Sequence, residues 1–176
     1  MVKKANSLLD LVLRYLLLLV VALPNLWLFY TIFTPLTAYP VYWLLNVFFD
    51  ASLLSKTLIL LNQSFPIELI DACIAGSAYY LLLILNLSTP KIQVGKRVKM
   101  ILAAFGIFLV INILRIFLLS ILAFNGSSFF DITHIVFWYL LSTIFVVGIW
   151  FWEVKRFKIK NIPFYSDIRH LYKNVK

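Results

Sequence analysis

Cysteine is almost missing: Cys73 is the single one in 176 residues, so no internal disulfide framework exists, and a cysteine kept for function acts as a thiol. Charge is scarce too, at 13%, and acidic residues are scarcest, 7 against 16 Lys and Arg. With one cysteine, two histidines and neither a His-Glu-x-x-His nor a Cys-x-x-Cys motif, the chain lacks the ligand spacing of a zinc site. No Gly-x-Ser-x-Gly elbow and no Walker-type phosphate loop occur. No metal and no cofactor is therefore expected, and no internal repeat is visible.

What is present is apolar. A hydrophobic fraction of 63% and a mean hydropathy of +0.97 lie far outside the range of a soluble globular domain. The expected fold is an all-α polytopic membrane protein, one domain over 1–176, with about four full spans at 8–33, 67–87, 100–124 and 132–152. The first run carries Arg14 near its start and Pro24, which kinks a helix by removing one backbone hydrogen bond. It follows Lys3 and Lys4 as a signal peptide would, but it is long and no small-residue cleavage site follows, so an uncleaved span is expected.

The net charge of +9 points to nucleic acid in a soluble chain, but here the cations flank apolar runs and the aromatics lie inside them, so nucleic-acid binding is not expected. They read as topology signals. Lys3 and Lys4, the loop with Lys91, Lys96, Arg97 and Lys99, and the tail 153–176 with Lys155, Arg156, Lys158 and Lys160 are cytoplasmic by the positive-inside rule. Multi-pass residence in the plasma membrane follows, with both termini inside. The loop 125–131 and the start of the second span then face outward. By parity the segment 36–66 crosses twice or not at all. Interrupted by Asp50, Lys56, Asn62 and Gln63, it is expected as an interfacial or re-entrant outer segment with a small hairpin about Asn62-Gln63-Ser64. The tail from 161 is expected near anionic headgroups.

Drawn on this topology, Cys73, Arg115 and His134 all fall on the outer side. A guanidinium inside a spanning helix costs at least ~2.5 kcal/mol and calls for a partner or a polar cavity. Snorkelling to the headgroups is the plainer explanation of Arg115, but Asn112, one turn earlier on the same face, argues for a polar interior patch. Cys73 alone packs as a small hydrophobe, and Gly76, Ser77 and Tyr80 after it form a stripe suited to helix packing or to the close approach of a substrate. Asp131, three residues before His134, caps the helix or orients the imidazole, capping being the plainer role; His170 lies in the basic tail. Together the three supply a thiol, a base and a fixed cation, the groups that thiol-based acyl transfer uses.

The run Ala72-Cys73-Ile74-Ala75-Gly76, then Asn112-Ile113-Leu114-Arg115-Ile116, then His134 resembles the motifs of the exosortase and archaeosortase family, over about residues 58–152. The departure follows the cysteine, where Ile74 and Ala75 replace the usual Ser or Thr and Gly, and Gly76 comes one place late. The resemblance implies a membrane cysteine transpeptidase, a short archaeosortase-like branch, with Cys73 as nucleophile and Arg115 and His134 completing the site. Its partners would be exported proteins bearing a C-terminal sorting signal with a transmembrane helix, passed through a thioester to an acceptor such as a membrane lipid. Two alternatives stand beside it: an intramembrane cysteine protease that uses water, and a non-enzymatic assembly factor or small transporter whose Arg115 and His134 line a polar path.

Overall fold

The computed structural model describes residues 2–23, 25–90, 92–137 and 142–159. Pro24, Lys91 and the tail from 160, with Lys160 and His170, lie outside them. Ten elements follow in order: α1 (Val2–Ala22), α2 (Trp27–Phe48), β1 (Ala51–Leu53), β2 (Leu58–Leu61), β3 (Phe65–Glu68), α3 (Asp71–Ile74), α4 (Gly76–Leu87), α5 (Val94–Phe124), α6 (Phe130–Val136) and α7 (Ser142–Arg156).

The expectation of about four full spans is overturned. Among the described residues one helix, α5, is long and apolar enough to cross a membrane; its 31 residues reach about 46 Å. The run 8–33 is two helices, α1 and α2, bent by 68° across residues 23–26, where Asn25 and Leu26 take positive φ. The run 67–87 holds the end of a strand, a one-turn helix and the 12-residue α4. Of the run 132–152, α6 to Val136 and α7 from Ser142 are described, and residues 138–141 between them lie outside the described residues.

The segment 36–66 is part helix and part sheet. Its first part is the C-terminal half of α2, which stays helical through Pro35 and Pro40. One face of α2 repeats every four residues, Phe29, Phe33, Thr37, Val41 and Leu45, all buried. Phe33 stacks on Tyr79 of α4 at 3.6 Å, and Phe105 and Phe108 of α5 meet the Tyr79 ring edge-on. That burial holds the helix in spite of two missing backbone donors. The expected hairpin about Asn62-Gln63-Ser64 is present as the antiparallel pair β2-β3, with Ile59 opposite Ile67, and β1 adds a third strand in the order β1-β2-β3. Ile59 and Leu61 are fully buried, and Phe49 and Phe65 pack on Phe124, so the sheet sits over the C-terminal end of α5.

At the opposite end of α5 the cations are structural. Arg97, read as part of a basic loop, lies in the first turn of α5 and donates to the carbonyls of Leu87 and Thr89, both at 3.1 Å. Arg14 donates to the same Leu87 carbonyl at 2.8 Å. The carbonyls at a helix C-terminus have no partner within the helix, and two guanidinium groups supply one here. Beside them Asn86 donates to buried Glu153 at 2.9 Å.

Candidate active site

The backbone around Cys73 is built to break. α3 makes a single turn and stops at Ala75, which takes the left-handed conformation (φ 59°, ψ 42°) before α4 restarts at Gly76. Gly76 is required there: a Cβ at this position would lie 2.8 Å from the Tyr30 ring of α2. The break leaves the carbonyls of Ala72, Cys73 and Ile74 short of helical partners, and such groups must be satisfied when buried.

Asn112 and Arg115, one turn apart on α5, satisfy them. Asn112 Nδ2 donates to the Cys73 carbonyl at 2.9 Å and reaches the Ile74 carbonyl at 3.4 Å. Arg115 Nη2 donates to the carbonyls of Ala72 and Cys73, each at 3.3 Å, and its Nη1 donates to Ser142 Oγ at 3.0 Å. Ser142 in turn donates to the Phe137 carbonyl at 2.8 Å, tying α7 to the end of α6. Arg115 is 7% exposed, so its guanidinium is held within the bundle. Among the described residues its Nε has no partner.

Cys73 is half-buried. Burial pushes its thiol above the ordinary range; a backbone hydrogen bond from Ile70 and the positive charge of Arg115 pull the other way and do not overcome it. The net effect holds the group toward its neutral thiol form. Cys73, Arg115 and His134 line one open, mostly apolar cavity of about 200 Å³, with Ile116 and Leu119 of α5 and Ile67 of β3 among its walls. The His134 ring stacks on Phe130 at 5.6 Å, nearly parallel, which fixes its plane.

The remaining expected residues fall as follows. Ser77 is exposed at the rim of a second cavity, and Tyr80 donates to the Leu18 carbonyl at 3.1 Å, away from the thiol. Asp131 lies in the first turn of α6, whose N-cap position is Phe129, and its side chain lies outside the described residues. Sequence reasoning missed Ser142, the hydroxyl on Arg115, whose only signal was a Ser-Thr pair inside an apolar run. It also missed the second cavity, about 440 Å³, where Tyr30, Asp71, Ser142 and Thr143 meet behind the Cys73 turn.

Scans against protein-family models, curated proteins and solved structures find no match to this chain.

Proposed function

We propose that the chain is a membrane-embedded cysteine acyltransferase, a transpeptidase of the kind its motifs resemble. The observation that carries the reading is the grip of Asn112 and Arg115, the two polar residues of the Asn-x-x-Arg segment, on the carbonyl of Cys73, in a cavity that His134 also lines. In this reading His134 takes the Cys73 proton, and the sulfur adds to a peptide carbonyl. The tetrahedral oxyanion collapses, the C–N bond breaks, and His134 returns the proton to the leaving amine. A thioester remains until an acceptor nucleophile displaces the sulfur. Arg115 is foremost a positioning residue, since its Nη donors hold backbone; its charge stabilises negative charge on sulfur and on the adjacent oxyanion.

The membrane setting is part of the proposal. Many large apolar side chains are exposed, among them Leu102 at 66% and Val110 at 57% on α5, and a hydrocarbon solvent suits them. With Lys96 and Lys99 near its N-terminus, α5 is oriented with that end inside, which puts the cavity in its outer half.

The test pairs the protein with exported proteins that end in a hydrophobic helix and a basic cluster. Cys73→Ala abolishes their processing while the protein still inserts, and Cys73→Ser is nearly as damaging, because an alkoxide forms far less readily than a thiolate. Full processing by the alanine variant refutes the assignment. Mass spectrometry of the new C-terminus separates transfer, which adds an acceptor, from hydrolysis, which leaves a free carboxylate.

A further inference from the structure

The outer edge of β3 leads to the thiol. β3 is the last strand of the sheet, paired with β2 on one side and with no strand on the other among the described residues. Two hydrogen bonds fix which way its backbone faces. Leu69 N–H donates to the Thr57 carbonyl at 2.8 Å, and Leu54 N–H donates to the Leu58 carbonyl at 2.9 Å. Leu58 therefore turns its polar groups toward β1, and its partner Glu68 turns both its N–H and its C=O away from β2. By the same alternation the Pro66 carbonyl faces outward, and the N–H that proline lacks is one that would have faced outward too, as expected of an edge strand. The next outward donor is Ile70 N–H, and the Ile70 backbone hydrogen-bonds Cys73. A row of outward-facing backbone groups on Pro66 and Glu68 thus runs toward the Cys73 turn.

The cavity follows the same line, with Ile67, Glu68, Leu69 and Ile70 forming one wall and Cys73 its end. Facing them, Ile116, Leu119 and Ala123 make the space apolar.

We infer that β3 is a docking strand, and that a substrate peptide binds extended along it as a fourth strand. It exchanges hydrogen bonds with Glu68 and lays an apolar side chain into the cavity, which brings a carbonyl to Cys73. The mode gives affinity through main-chain bonds and selects alternate side chains by pocket shape. This inference rests on the reading of Cys73 as nucleophile.

The experiment uses full-length protein in detergent and two chloromethyl ketones with the same reactive end: acetyl-alanyl-valyl-alanyl-valine chloromethyl ketone and acetyl-valine chloromethyl ketone. In each, the Cys73 sulfur bonds to the methylene carbon, the C–Cl bond breaks, and chloride and the thiol proton depart. Intact-mass spectrometry gives the rate of each, with Cys73→Ser as the control for site. The longer reagent is expected to react faster by on the order of tenfold. N-methylation of alternate amides is expected to remove roughly three- to tenfold per bond, while the amides between tolerate it. The ratio of the two rates collapses toward one in Glu68→Pro, which deletes the outward N–H without touching the β2 ladder, and holds in Glu68→Ala. Equal rates for the two reagents, or N-methyl effects with no alternation, overturn the docking strand and leave the nucleophile standing. A thiol that neither reagent modifies, even at alkaline pH, overturns both.

Discussion

Asn112 and Arg115 together hold three consecutive carbonyls, and the charge on one of them is felt by the sulfur between them. Its effect has a sign that can be measured. Burial raises the thiol and Arg115 lowers it, so alkylation of Cys73 rises with pH through a midpoint above the usual thiol range, and Arg115→Gln moves that midpoint further up. A midpoint that stays put or falls in the variant shows that the guanidinium does not act on the sulfur. Residue identities here were legible in the sequence, because a thiol, an imidazole and a guanidinium are rare in so apolar a chain. The contacts were not. The sequence offered Arg115 as a fixed cation, but not that its Nη donors hold backbone 42 and 43 residues away and a serine 27 residues on.

At the scale of elements, hydropathy misled where the apolar content was right. The short β2 was legible because the polar Asn62-Gln63-Ser64 turn separates two apolar stretches, whereas β1, with the sequence Ala-Ser-Leu, carried no such signal. The break at Ala75 carried no signal, since left-handed helix ends are most often glycine and here the glycine comes one place later. Two substitutions test the break by thermal unfolding. Ala75→Gly removes a positive-φ alanine and is expected to stabilise by about 1 kcal/mol. Gly76→Ala drives a methyl into the Tyr30 ring and is expected to destabilise by about 1–3 kcal/mol; a neutral result means that Tyr30 swings away at no cost.

Among the described residues two buried polar clusters stand out along α5, one around Cys73 in its C-terminal half and one around Glu153 near its N-terminal end. Burial pushes the Glu153 carboxyl up to about 7, against a smaller opposing effect of the Asn86 hydrogen bond. The folded form holds a proton that the unfolded chain has released, so stability is fully present below the ordinary carboxylate range, near pH 4.5, and declines as pH rises through about 7. Glu153→Gln is expected to flatten that decline, read as melting temperature between pH 5 and pH 8. The two ends also make orientation testable. Cys73 is the sole cysteine, so a membrane-impermeant maleimide should label it from outside in intact cells and not from the inner face of inverted vesicles. Labelling only in inverted vesicles reverses the orientation of α5.

The Cys73 turn takes its shape from side chains of α5, a helix made about forty residues later in the chain. The turn around the sulfur therefore acquires its final hydrogen bonds late, once α5 has been made and packed against it.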